Sequence, residues 1–536
     1  MNNQPPDADY LIIGAGSAGC VVADRLSETG ARVVLLEAGP TDWHPWIHIP
    51  AGVLKLLYNP RVNWNYASEP EPGSANRAIH WPRGRVLGGS SSINGMLYVR
   101  GNPADFDLWA QMGCRGWSFA DVLPYFRQSE HYGPGDAKYR GKGGVLKVED
   151  YNTILQLTHQ FVQAAQQAGH PFRQDLNGAE QEGVGYSQMT RNGRWRGSTA
   201  QTFLKQAKRR QNLRVETGAQ ASRLIFEGKN CVGVVFRQDG QQRQLRAARE
   251  VILCGGAVNS PHLLQISGIG RPEHLRSIGV EIIHEAPGVG ENLQDHYVAR
   301  VAHRVRDAMS ANQLSRGLRL AGEVARFALQ GSGALTFGVT SAQVFCRSRE
   351  GLASPDLQLL FTPASYDQLK FGTLERQAGM TVAVCPTRPD SRGTILAKSS
   401  DPFEKPAIRP NYLSAPEDQR VLNAGIRFTR DIFAAPAMAQ HSVVETSPGP
   451  DVTSDAQLGD YCRQTGTTIY HPVGTCRMGE DPASVVDARL RVRGIGGLRV
   501  IDASVMPTLT TGNTNAPTIM IAEKGAAMIR EDAGAG

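Results

Sequence analysis

The stretch from Ala8 to Pro40, ADYLIIGAGSAGCVVADRLSETGARVVLLEAGP, restricts the fold more than any other part of the chain. Tyr10 to Ile13 form a short apolar run of the kind that makes a buried strand. Gly14, Gly16 and Gly19 complete G-x-G-x-x-G, and Val21, Val22 and Leu26 carry the chain on as a helix. Arg32 to Leu36 read as a second strand that ends at Glu37. Each position has a physical task. Gly14 permits a tight turn, Gly16 lets the backbone approach a pyrophosphate, and Gly19 lets strand and helix pack closely. The helix start, at Ser17 and Ala18, offers free N–H groups and the positive end of the helix dipole to phosphate oxygens. Glu37 stands where a carboxylate can accept hydrogen bonds from ribose hydroxyls. Strand, glycines, helix, strand and acid in this order predict an adenine dinucleotide site, and the pattern alone does not separate FAD from NAD.

A chain of 536 residues exceeds one compact core, so two domains are expected. Hydrophobic residues at 41% and charged residues at 20% place it among ordinary globular proteins. The net charge of +7 is modest, and the densest basic run, Lys205 to Arg214, lacks interleaved aromatics. It reads as a solvated face, and no nucleic-acid partner is expected. Eight cysteines without a Cys-x-x-Cys pair do not suggest a disulfide framework. The first residues show neither a basic segment nor an apolar core of a signal peptide, and no apolar run is long enough to span a bilayer. The expected location is the cytoplasm, with peripheral contact to the inner membrane left open.

Further glycine-rich segments follow. GRVLGGSSSINGMLYVRG (Gly84 to Gly101) exposes backbone N–H groups that can line a phosphate or an electron-rich ring. GGAVNSPHLLQISGIG (Gly255 to Gly270) reads as a turn and then a helix starting near Ser260-Pro261, where the missing proline N–H costs nothing. NLQDH (Asn292 to His296), YHPVGTCRMG (Tyr470 to Gly479) and GNTNAPTIMIAEK (Gly512 to Lys524) come after it.

In this order and over almost the whole chain, these motifs resemble the glucose–methanol–choline (GMC) oxidoreductase family. Within it the chain looks most like bacterial choline-dehydrogenase-like alcohol dehydrogenases. The resemblance implies an α/β protein: a Rossmann-like FAD-binding domain over residues 1–155, 195–297 and 459–536, and a discontinuous substrate domain over 156–194 and 298–458. The second is expected to hold an antiparallel sheet backed by helices, and runs such as Asp356 to Thr362 and Met380 to Cys385 read as its strands. Cofactor contacts are implied at Gly14, Gly16, Ser17, Ala18, Gly19, Glu37, Gly88, Gly89, Ser91, Asn94, Gly95, Met96, Leu97, Ala221, Asp502, Ala503 and Thr518. Some members attach FAD through a histidine in the Gly-Gly-Ser-Ser motif. Ile93 stands at that position here, so non-covalent FAD is expected.

The same resemblance gives His471 a catalytic place facing the flavin and puts the second catalytic position, a His or Asn in this family, on Asn515. A neutral imidazole can take a hydroxyl proton, and an amide can orient the oxygen and stabilise a developing alkoxide. The implied reaction is oxidation of a primary alcohol to an aldehyde, with electrons passed to a quinone or other carrier. Alternatives are an oxidase that makes hydrogen peroxide from dioxygen, and a non-redox lyase or decarboxylase on the same fold. A zinc site at Cys462, His471 and Cys476 lacks ligand spacing and a fourth ligand, and no metal is expected. A nucleophilic Cys476 is as weakly supported. Trp43, Trp46, Trp64 and Tyr66 suggest a lid, and Tyr470, Phe361 and Tyr366 are candidate pocket residues. No carboxylate can be singled out to pair with a cationic substrate, which counts against choline.

Overall fold

Every residue of strand β1 (Ala8–Ile13) except Asp9 is buried, as is all of strand β2 (Val33–Leu36). Burial on both faces is what a parallel sheet flanked by helices requires. The computed structural model describes residues 6–367 and 372–534. β1 and β2 run parallel with Tyr10 opposite Val33 and Ile13 opposite Leu36, and helix α1 (Ser17–Ser27) makes the crossover between them. Leu213–Glu216 extends the sheet beyond β2. Gln241–Leu253 pairs with the other edge of β1, and Leu498–Val500 pairs beyond that, all in parallel. One sheet therefore gathers strands from both ends and the middle of the chain. The first half of Gln241–Leu253 continues into an antiparallel meander with Asn230–Gln238 and Gln220–Glu227.

A second sheet is antiparallel. Its order is Ser442–Ser447, Tyr297–Val305, Gly379–Pro386, Leu357–Thr362, Ala342–Cys346 and Gly183–Tyr186. Alternation sets its two faces. Val301, Val344, Leu359, Phe361 and Val382 enter one apolar core with Phe161 of helix Gln156–Gln167 and Leu422 and Ile426 of helix Pro416–Ala434. The intervening positions, among them Arg300, Leu360, Thr362, Thr381 and Ala383, line a long cavity between this sheet and the glycine-rich end of the parallel sheet.

Helix Gly256–Ile266 starts four residues before the expected Ser260, so Pro261 lies inside it. Proline leaves the carbonyl four residues back without its helical donor. That carbonyl belongs to Ala257, and the Thr475 hydroxyl donates to it at 2.7 Å. A side chain from a distant motif thus offsets the break, which no local reading of the segment reveals. All eight cysteines are buried and unpaired by disulfides. No helix among the described residues is long and apolar enough to cross a membrane.

The glycines of the first turn are fixed by contact. A Cβ on Gly19 would lie 1.8 Å from the Gly14 carbonyl oxygen. Relieving that overlap means separating β1 from α1, an overpacking cost of about 1–3 kcal/mol. Gly19→Ala is expected to lower the melting temperature by several degrees and to lose bound nucleotide cofactor, both measurable in one thermal scan that follows flavin fluorescence.

Candidate active site

Two helix N-termini face the cavity. Gly16, Ser17 and Ala18 of the first turn line it, and the N-cap Gly16 provides no side-chain cap, so early N–H groups of α1 stay available. From the other end of the chain, helix α2 (Asn515–Gly534) brings Asn515 and Thr518 to the same cavity, with Asn513 and Thr514 just before it. Ser17 Oγ donates to Asn515 Oδ1 at 2.7 Å and ties the two helix starts together.

The expected cofactor residues divide into two groups. Gly14, Gly16, Ser17, Ala18, Glu37, Gly89, Asn94, Gly95, Met96, Leu97, Ala221, Asp502, Ala503 and Thr518 line the cavity. Gly19, Gly88 and Ser91 do not. They stand behind it: Ser91 Oγ donates to the Gly88 carbonyl and accepts from the Thr199 N–H, which pins the loop. A Cβ on Gly89 would meet Gly16 Cα at 2.6 Å, so the two glycine segments can approach only without side chains. Glu37 accepts from the Ala15 and Gly39 N–H groups, and burial pushes its carboxyl up to about 7. Asp502 accepts from Gly256 N–H and Ser260 Oγ. His262 also lines the cavity, and its buried Nε2 has no hydrogen-bond partner among the described residues. An uncapped helix start, a side-chain-free cradle and an orphaned imidazole nitrogen fit a dinucleotide.

His471 enters from the Tyr470–Gly479 segment on a constrained peptide. Tyr470 is a non-glycine residue at φ 72°, a conformation that costs on the order of 1–3 kcal/mol. The peptide that joins it to His471 is held on both sides. Arg83 donates to the Tyr470 carbonyl at 2.7 Å, and Asp295 accepts from the His471 N–H at 2.8 Å. Asp295 also accepts from Tyr412 and Thr468, and burial pushes its carboxyl up to about 6.

The ring of His471 is set by a second histidine. His296 Nε2 lies 3.1 Å from the Thr387 carbonyl, and a carbonyl only accepts, so that nitrogen carries the proton. Burial holds the His296 pKa down to about 4, so its ring is neutral and its Nδ1 is an acceptor. His471 Nδ1, 2.9 Å away, must then donate to it. His471 is left with a bare Nε2, to which Asn513 Nδ2 donates at 3.1 Å. Burial, with His296 and Arg83 adding repulsion, holds the His471 pKa well below its usual value. The result is a neutral imidazole with its lone pair beside a primary amide.

The amide paired with His471 therefore belongs to Asn513, whereas the resemblance had put it on Asn515. Asn513 precedes α2 and is free to reach His471, while Asn515 opens the helix and is bound to Ser17. GNTN carries two asparagines two residues apart, and only the helix start separates them. His296, Asp295 and Arg83 were also not singled out, although NLQDH holds two of them. Cys476 and Cys462 lie in different cores, and no His/Cys/Asp/Glu cluster among the described residues could hold a metal ion. Of the aromatic candidates, Trp64, Tyr366 and Tyr470 line the cavity. Phe361 points the other way and stacks on Phe161 at 4.2 Å, and Trp43 is 84% exposed.

A cradle that fits a dinucleotide, with one neutral histidine and one amide lining the same cavity, defines the class of site. The comparisons agree on the class. Residues 8–298 and 389–522 match the two models of the GMC oxidoreductase family. The chain belongs to this family, whose members use FAD and act on CH–OH donors. It is 43% identical to the alcohol dehydrogenase [acceptor] of Pseudomonas putida, over 97% of this chain and 95% of that one. It is 42% identical to the mitochondrial choline dehydrogenase of Homo sapiens, over 97% and 89%. Among solved structures it superposes on pyridoxine 4-oxidase from Mesorbium loti with a TM-score of 0.89 at 30% identity, covering 98% of this chain and 99% of that one. A formate oxidase of Aspergillus oryzae RIB40, studied for FAD modification, gives 0.92 at 27%, covering 99% of both chains.

Two substitutions test the histidine relay and the amide. His296→Leu removes the acceptor for His471 Nδ1–H and frees the ring to adopt the other tautomer. It is expected to slow substrate-dependent flavin reduction about 100-fold while FAD stays bound. Asn513→Ala is expected to slow the same step by about 100-fold, whereas Asn515→Ala acts first on FAD retention. Rapid-mixing absorbance at the flavin maximum reads both.

Proposed function

We propose that the protein oxidises a primary alcohol to the aldehyde, with His471 as the base and Asn513 as the amide that holds the reacting oxygen. The observation that carries this reading is the bare Nε2 of a neutral histidine, lining the cavity beside an amide donor. Gly14 to Ala18, Glu37, Gly89 and Asn94 to Leu97 would hold FAD, with the starts of α1 and α2 turned toward its negative charge. Bound FAD supplies the two-electron acceptor for the carbon-bound hydrogen.

The substrate hydroxyl enters between His471 and Asn513 and replaces their direct hydrogen bond. Its proton goes to His471 Nε2 as the C–H bond breaks with its electron pair. The Asn513 amide donates to the oxygen as negative charge develops there. Asp295 and Arg83 keep the His471 peptide from shifting, and His296 keeps its ring from turning. Position is what these buried groups supply.

The final acceptor is proposed to be a quinone or another carrier, in keeping with the acceptor-dependent name of the Pseudomonas putida relative. FAD is proposed to be non-covalent: Ile93 carries no nucleophile and packs against Ile47, Leu56, Val62 and Val86.

His471→Ala is expected to keep FAD and to lose alcohol-dependent flavin reduction by at least about 1,000-fold. Anaerobic bleaching by a panel of aliphatic, aromatic and amino alcohols tests the reading, and a variant that bleaches at the normal rate removes His471 from the chemistry. Stoichiometric hydrogen peroxide in air would make the acceptor dioxygen. After acid precipitation the yellow colour is expected in the supernatant; colour in the pellet would mean a covalent link. Protonation of His471 abolishes the base, so activity falls only as pH drops through a value well below the ordinary histidine range. The pH profile of flavin reduction is expected to be flat through pH 6.5.

A further inference from the structure

We infer that Arg196 is a positioning residue for the cofactor: it holds the Asn94 amide with its NH2 end toward the cavity. The inference rests on the reading of that cavity as a flavin site and adds to it a residue from behind the lining.

Arg196 ends the two-residue strand Trp195–Arg196, which pairs with the end of Gln188–Asn192. Its side chain runs inward, and the residue is 2% exposed. Nε donates to the Ile47 carbonyl at 2.7 Å. Nη1 donates to the Asn94 carbonyl at 2.7 Å and to Asn94 Oδ1 at 2.8 Å, with the Ser91 carbonyl at 3.2 Å. Nη2 is buried and has no hydrogen-bond partner among the described residues. All of these acceptors are uncharged oxygens. Burial pushes the Arg196 pKa down to about 9, and no nearby acid offsets that shift. An apolar side chain would fill such a place at less cost. It would not fix an amide.

The Met96 N–H also donates to Asn94 Oδ1, at 3.0 Å, so two donors converge on one end of the amide. Turned over, the amide would set its NH2 against a guanidinium and a backbone N–H, and neither of these accepts. The neighbours therefore decide the orientation. Nδ2 is the end left for the cavity, which Asn94 lines. Three residues on, Leu97 shares a small apolar cluster with Ile469, which lies just before Tyr470 and His471. The segment from Asn94 thus runs to the His471 end of the cavity, where the reacting ring of the flavin belongs. A flavin ring gains negative charge when it is reduced, and a fixed amide donor beside it favours that form. Through its bond to Ile47, which shares a core with Ile93, Arg196 also ties helix Pro45–His48 to this loop.

The test measures the flavin midpoint potential of the FAD-loaded enzyme by equilibration with a reference dye. Asn94→Ala and Arg196→Gln are each expected to lower it by about 30 mV, a tenfold change for two electrons. The double variant is expected to match Asn94→Ala alone, because Arg196 acts through that amide. Arg196→Lys keeps one donor for Oδ1 and should recover part of the shift. An unchanged potential in Arg196→Gln would overturn the inference. So would shifts that add in the double variant, since Arg196 would then act by its charge and not through Asn94. A crystal structure of the wild-type holoenzyme tests the geometry even if a variant does not fold. Asn94 Nδ2 is expected within hydrogen-bond distance of a flavin acceptor, with Oδ1 on Arg196, and an amide without a cofactor contact would refute it. Wild-type enzyme that takes up no flavin would sink the reading of the site itself, whereas the other adverse outcomes sink this inference alone.

Discussion

Two helix N-termini, from opposite ends of the chain, open onto one space, and the hydrogen bond from Ser17 to Asn515 joins them. Placing two positive dipole ends together is unfavourable unless negative charge lies between them. The structure is built around that requirement. Gly14, Gly16 and Gly89 clear the space of side chains, and the parallel sheet brings Leu498–Val500 alongside Gln241–Leu253 so that α2 can return to α1. The chain builds most of the antiparallel sheet between Gln241–Leu253 and Leu498–Val500 and only then enters α2.

The histidine end of the cavity is built differently. His471 is held by three contacts that each remove one freedom: Asp295 fixes its N–H, Arg83 the carbonyl before it, and His296 its ring. The left-handed Tyr470 is the local cost of that placement, and a buried network of hydrogen bonds offsets it. Burial keeps His471 neutral. A charged imidazole there would face His296 and Arg83, so the resting ring is neutral.

How much of this was legible in the sequence depended on how local each feature is. The strand, turn and helix from Ala8 to Ser27 could be read because the apolar runs and the Gly14–Gly19 contact are local, although Gly14 and Gly16 also make room for Cys254 and Gly89. His471 stood out through its motif. Asn513 did not, because a helix start uncertain by two residues exchanges the roles of two asparagines. The tautomer of His471 rests on the Thr387 carbonyl, which reaches it only through His296 and three separate segments. Pro261 inside its helix depends on Thr475, more than two hundred residues away. Long-range polar partners leave no periodic trace in a sequence, whereas apolar faces do.

Arg300 shows where these two kinds of information meet. Period-two alternation in YVARVAHRV already separates Ala299 and Val301 from Val298 and Arg300. It does not say which side is core. The helices behind the sheet decide that by covering Val301, and the charged side chain is left to the cavity. Once that face is fixed, the charge of the site follows from where the acids are. Glu37 and Asp502 are drawn to the backbone N–H groups of the glycine turns, and Asp295 to the peptide of His471. Each carboxylate is already used in building the dinucleotide cradle or the histidine clamp. The Arg300 guanidinium is thus carried to the cavity by the register of the sheet and by no local motif.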